Sequence, residues 1–148
     1  MVGTLVALLL LLPAVLLAPA LIVVFSRVSG WRTLAQRYPL RGSRPPARVR
    51  LGYGVFRGWI GYNGGLIVAV DARGLYLAAM PVVLSFCHPP IFIPWSEIEW
   101  IRRDRRFGFV TVYRIGARQA PEMSFALRAG TFGRIREDAR RGGVPGDY

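Results

Sequence analysis

The feature that most constrains this chain is its opening run. From Val2 to Phe25 the sequence reads "VGTLVALLLLLPAVLLAPALIVVF", and the first charged side chain after the N-terminal amine is Arg27. At ~1.5 Å rise per residue, a helix of that length matches the ~30 Å hydrocarbon core of a bilayer. Pro13 and Pro19 are awkward in an isolated soluble helix, but a membrane span accommodates them as kinks. The run predicts a transmembrane helix over 2–26 in a single-pass membrane protein. "APA" at Ala18 to Ala20 resembles the cleavage site of a secretory signal. Against that stand the missing basic n-region, the length of the run, and "LIVVF", which continues beyond the site. Arg27, Arg32 and Arg37 follow the span with no acidic residue nearby. The positive-inside rule then puts the N-terminus outside and the remaining chain in the cytoplasm.

Composition adds a charge argument. All 20 basic residues are arginine, and 8 acidic residues leave a formal net charge of +12, carried beyond the apolar run. For a tethered domain the nearest anionic surface is its own leaflet. Nucleic acid is not the expected partner, because charge alone is weak support for it. The single Cys87 cannot form an intramolecular disulfide, which suits a reducing compartment.

Past the apolar run, "SGWRTLAQRYP" places Trp31, Leu34, Ala35 and Tyr38 on one helical face, with Ser29 as a cap and Pro39 as a stop. This stripe has two readings. With Arg27, Arg32 and Arg37 it is an interfacial anchor at the membrane exit, or else it packs on the folded domain. Residues 27–47 are read as this amphipathic helix plus the linker "LRGSRPPAR".

From 48 to 141 the texture becomes short alternating segments. "VRLGYGVF" is a glycine-rich first strand, and "YNGG" at Tyr62 to Gly65 is a turn signal. "LIVAV" and "LYLAA" flank Asp71-Ala72-Arg73-Gly74, a hairpin that places Gly74 at a left-handed position. "IFIPW", "IEWIRRD", "FVTVYRI" and "EMSFAL" follow. A helix starting near Thr131 carries Phe132, Ile135 and Ala139 and stops at Gly142-Gly143, leaving 142–148 as a flexible tail. About seven antiparallel strands and a C-terminal helix make a mainly-β sandwich or barrel.

The hairpin "VAVDARGLYL" followed by "IFIPWSEIEWI" resembles bacterial PH-like domains, which are related in fold to GRAM and pleckstrin-homology modules. Gly74, Leu75 and Leu77 match one part of that pattern, and Ile93, Pro94, Trp95, Glu97 and Ile98 match the other. The resemblance spans roughly Arg48 to Arg141. The "GWRTLAQRYP" segment after a single span also resembles a group of small bacterial membrane proteins. Together these imply a binding or assembly module at the bacterial inner membrane with no catalytic residues to carry over.

Chemistry-bearing residues are few. Cys87 and His88 are adjacent, so on a strand their side chains diverge, which is poor geometry for a metal site or a nucleophile-base pair. Asp71 and Glu97 fall at a hairpin and a strand entrance, where carboxylates are ordinary. "GYGVFRG" lacks the GK[ST] and helix start of a phosphate loop. No cofactor, metal or catalytic site is expected. Arg102, Arg103, Arg105 and Arg106 are different, because strand alternation cannot hide four guanidinium groups. Several of them must project from a hairpin tip near Phe107, where arginines beside an aromatic can engage anionic lipid headgroups at ~1 kcal/mol each. "MPVVLSF" over Met80 to Phe86 reads as a core strand or an apolar loop.

The sequence therefore leads to a membrane-anchored, non-enzymatic module that binds the anionic membrane surface or a membrane protein partner. The alternatives are a subunit of a larger envelope complex and, less favoured, an enzyme centred on Cys87 and His88.

Overall fold

A computed structural model describes residues 13, 17–42, 45, 49–80 and 87–148. The alternating segments form two antiparallel meanders. The first holds β1 (Val49–Phe56), β2 (Ile60–Asp71), β3 (Gly74–Ala79) and β4 (Ile91–Pro94); the second holds β5 (Ile98–Arg106), β6 (Val110–Ala117) and β7 (Ala120–Arg128). β7 returns to pair with β1, so the two meanders share one sheet in the order β4-β3-β2-β1-β7-β6-β5-β8. The last strand, β8 (Gly146–Asp147), lies parallel to β5.

That order requires a rolled sheet. β4 and β5 are six strand spacings apart in a flat sheet, about 29 Å. Yet only the 3-10 turn Trp95–Glu97 joins them, a link of at most about 15 Å. Curling brings one face of all seven long strands onto a single core that includes Phe56, Leu66, Leu75, Ile93, Ile101, Ile115 and Phe125. A smaller cluster of Ala69, Tyr76 and Ala78 lies on the other face, against Leu40, Ile67 and Phe92. Both sheet edges are covered: Pro39 bridges Ile91 on β4, and β8 sits on β5.

Helices close the open parts of the roll. Helical backbone over 17–28 (α1) leads through Gly30 into α2 (Trp31–Arg37), whose Trp31, Leu34 and Ala35 are buried. At the other end, α3 (Ala129–Phe132) and α4 (Arg136–Arg141) bring Phe132, Ile135 and Ala139 into the core. Phe132 stacks on Tyr113 with ring centroids 4.2 Å apart.

Several sequence expectations are corrected here. No helix among the described residues is long and apolar enough to cross a membrane, which overturns the transmembrane helix over 2–26, the single-pass topology and the inner-membrane placement derived from it. Much of that run, residues 1–12 and 14–16, lies outside the described residues. The fold class changes accordingly: one mixed eight-stranded sheet with short helices replaces a membrane helix plus about seven antiparallel strands. The C-terminal helix is two short pieces, because Gly133 and the turn after it interrupt the run. Residues 142–148 are no free tail: Val144 is buried, and β8 pairs with Ile101 and Arg102.

The interfacial anchor is corrected as well. Trp31 is 0% and Tyr38 4% exposed, so the stripe packs on the domain. Burial demands partners for their polar atoms, and these exist: the Trp31 indole N–H donates to the Pro89 carbonyl at 2.9 Å, and the Tyr38 hydroxyl accepts from the Gln119 N–H at 2.8 Å. The anchor's arginines Arg27, Arg32 and Arg37 are all exposed, and Arg37 donates to the Gln119 carbonyl.

Two glycine signals also resolve differently. "YNGG" is a bulge inside β2, opposite the register shift between Gly52 and Tyr53, with Gly64 at φ 72°. Gly74 is needed for space and not for handedness, since a Cβ there would lie 2.3 Å from the Ile93 carbonyl oxygen on β4. In the proposed core-or-loop segment, Met80 is exposed and residues 81–86 lie outside the described residues.

Candidate functional site

Two hairpins of the same build carry the most exposed aromatic rings. In the β1–β2 connection Arg57 and Gly58 have φ 49° and 79°, and in the β5–β6 connection Phe107 and Gly108 have φ 51° and 73°. Paired positive values define the turn whose twist suits a tight hairpin, and Asn-Gly is its usual sequence. Here the first position is arginine or phenylalanine, at a cost of roughly 1–2 kcal/mol for a side chain held left-handed. Each turn then projects an aromatic ring: Trp59 is 66%, Phe107 75% and Phe109 82% exposed. Packing does not account for these rings, and local strain beside an exposed aromatic marks a surface kept for contact.

The arginines predicted from the sequence lie on this second hairpin. β5 leaves the core after Ile101, and Arg102, Arg103 and Arg105 are exposed with Arg106 half-buried. Alternation sends Arg102 and Arg106 to the outer face and Arg103 and Arg105 to the opposite one. Rings organise two of them, Arg102 lying 5.1 Å above Trp100 and Arg106 5.2 Å above Phe107. The one carboxylate among them, Asp104, pairs with Arg114 at 3.7 Å.

Between the two hairpins, on the face of the sheet away from the main core, lies a groove of about 380 Å³. Tyr53, Trp59, Asn63, Arg106, Phe107 and Arg128 line it over a floor that includes Val55, Val110 and Val112. Arg128 sits 5.7 Å above the Tyr53 ring. Sequence reading missed Tyr53, Arg57, Trp59, Phe109 and Arg128. A signal was present, because "RGW" and "FGF" repeat one pattern of left-handed residue, glycine and aromatic.

The residues considered for catalysis go to separate places. His88 is buried at 1% exposure, in ring contact with Phe25, Trp31 and Tyr62. The Ser29 hydroxyl donates to the Ser26 carbonyl at 3.2 Å, and the Tyr62 hydroxyl donates to Ser29 Oγ at 3.1 Å. The Tyr62 hydroxyl also meets His88 Nε2 at 2.8 Å, a contact in which either group donates according to the imidazole tautomer. Burial pushes the Tyr62 hydroxyl up to about 12, so it stays a neutral donor at neutral pH.

The Ser26 hydroxyl binds the Cys87 carbonyl at 2.6 Å, so this network ties the end of α1 to the 87–89 segment. Asp71 caps its own hairpin. Burial alone would raise its pKa, but hydrogen bonds from Arg73 and Gly74, with the Arg73 charge, outweigh that and hold the carboxyl below its ordinary value. Glu97 accepts from Tyr38 at 3.3 Å and from Gln119 at 3.0 Å. Among the described residues no group of three or more His, Cys, Asp and Glu is placed to hold a metal ion.

Comparison with protein-family models, with curated proteins and with solved structures yields no match.

Proposed function

We propose that the chain is a non-enzymatic binding module whose two hairpin tips dock on an anionic lipid surface. The observation that carries this reading is Phe107, a bulky ring held at φ 51° and 75% exposed between Arg106 and the second exposed ring, Phe109. Rings of this kind settle at the headgroup level, and neighbouring guanidinium groups gain ~1 kcal/mol each near anionic lipid. The net charge of +12 adds long-range attraction of the same sign. The likeness of "DARGLYL" and "IPWSEI" to bacterial PH-like domains fits a binding role and supplies no chemistry.

The test is flotation of the full chain with neutral phosphatidylcholine vesicles and with vesicles containing phosphatidylglycerol, at low and high salt. The reading expects extra binding to the anionic vesicles that high salt weakens and that is lost when Arg102, Arg103, Arg105 and Arg106 are changed to serine. Equal flotation with both lipids would sink it. A second reading, a subunit docked on a protein partner, draws on the outer face of β1, where Val49 and Leu51 are 49% and 57% exposed. A stoichiometric partner that stays bound in high salt and is lost on changing Leu51 to serine would favour it.

A further inference from the structure

We propose that the groove between the two hairpins is a headgroup site, taking the phosphate of one anionic lipid between Arg106 and Arg128. This deepens the lipid-docking reading and rests on it. A volume of about 380 Å³ falls within the ~300–1,000 Å³ of small-ligand sites. The lining contains two cations and no carboxylate. Among the described residues neither arginine forms an ion pair, and Asp104 is engaged by Arg114.

The register explains why the two arginines face one space. Arg106 stands opposite Val110 across β5–β6, and Arg128 stands opposite Val112 across β6–β7. They flank β6 on the same face, two strand spacings across and two residues along, ~12 Å apart at the backbone, so an anion over β6 lies within reach of both long side chains. Each guanidinium already rests on a ring, Arg106 on Phe107 and Arg128 on Tyr53. Stacking of this kind holds the planar fork in place and leaves its N–H edge open to a phosphate oxygen. Orientation is thus largely set before the ligand arrives, which lowers the ordering cost of binding.

The walls select the source of the phosphate. Free phosphate would use the arginines and leave Val55, Val110, Trp59 and Tyr53 idle. A phospholipid presents a phosphate with glycerol and acyl carbons attached, and the apolar floor and aromatic rims match that body.

The test follows the indole signals of the full chain in a non-ionic detergent by NMR, with Trp59 assigned through Trp59→Phe. The probes are short-chain phosphatidylglycerol, short-chain phosphatidylcholine and inorganic phosphate. The expected result is a saturable Trp59 shift with phosphatidylglycerol alone, at least about tenfold weaker in Arg128→Gln, as loss of one charge-assisted hydrogen bond implies. Gly61→Phe is a second variant: the nearest atoms to a Cβ there belong to the Asn63 side chain, at 3.5 Å or more, so the ring enters the groove with little disturbance, and it too should bind at least tenfold more weakly.

Full affinity in both variants would overturn the proposal. So would the same saturable shift with inorganic phosphate, which would reassign the site to a free anion. A missing shift in a chain that still floats with anionic vesicles would remove the headgroup site and leave hairpin docking standing. Loss of both would remove both.

Discussion

Trp31 and Trp59 occupy nearly the same sequence setting and end in opposite environments. In "SGWRT" and "RGWIG" each tryptophan follows a glycine in the left-handed region, Gly30 at φ 78° and Gly58 at φ 79°. Yet Trp31 is 0% exposed and Trp59 66%. At Gly30 the chain turns into α2 under the cover of β7, and a Cβ would lie 2.1 Å from the Met123 sulfur. At Gly58 it turns at a hairpin tip, where the nearest atom to a Cβ would be an Arg114 nitrogen 3.6 Å away. Local chemistry sets the turn, and what the rest of the fold lays over it decides whether the ring becomes core or contact surface.

The largest expected effect tests that contrast directly. Trp31→Ala empties a fully buried site and should cost about 3–5 kcal/mol in urea unfolding of the full chain. Trp59→Ala should change stability by less than about 0.5 kcal/mol, as for other exposed side chains. Similar losses in both would break the comparison.

The glycines extend it at lower cost. Gly30→Ala combines left-handed strain with the Met123 clash and should lose about 3 kcal/mol, whereas Gly58→Ala bears only the backbone term, about 1 kcal/mol. Equal shifts in unfolding midpoint would show that packing against Met123 is not what confines Gly30.

Next comes the polar network beside Trp31. Tyr62→Phe leaves Ser29 and His88 each short of a hydrogen bond and should cost about 1–3 kcal/mol. It also has a signature in pH. Burial lifts the Tyr62 hydroxyl from 10.0 to about 12, so the folded state holds this proton more tightly than the unfolded one. Its contribution is complete below pH ~10 and fades as pH climbs through about 12. The phenylalanine variant should lack that alkaline decline, and parallel profiles would refute the assignment.

The smallest change has opposite signs at the two levels. Phe107→Gly relieves a left-handed side chain, so stability should rise by up to about 1 kcal/mol while flotation with anionic vesicles falls. A variant that gains stability and keeps its binding would show that the ring is not a lipid contact.

Much of the β architecture was legible because alternation is a local property. Phe92 against Ile91 and Ile93, or Met123, Phe125 and Leu127 on one face, announce strands without tertiary help. The arginine hairpin was legible for the same reason, since four guanidinium groups in a five-residue window cannot all be buried. What misled was context. Apolar stripes at Trp31 and Tyr38 suit lipid or core equally, and the covering elements come from Pro89 and Gln119, distant in sequence. "YNGG" carries a turn signal that β2 absorbs as a bulge because its partner β1 continues past it. Tyr53 and Arg128 became visible only when β7 closed on β1.

The central claim is that the hairpin tips meet anionic lipid, and Trp59 reports on it most directly. Quenching of tryptophan emission by vesicles of brominated phosphatidylglycerol should contain a component that disappears in Trp59→Phe, since Trp31 and Trp95 are buried in the core and the half-buried Trp100 is present in both chains. Quenching of equal depth in the wild-type and variant chains would place the lipid contact elsewhere and contradict the account.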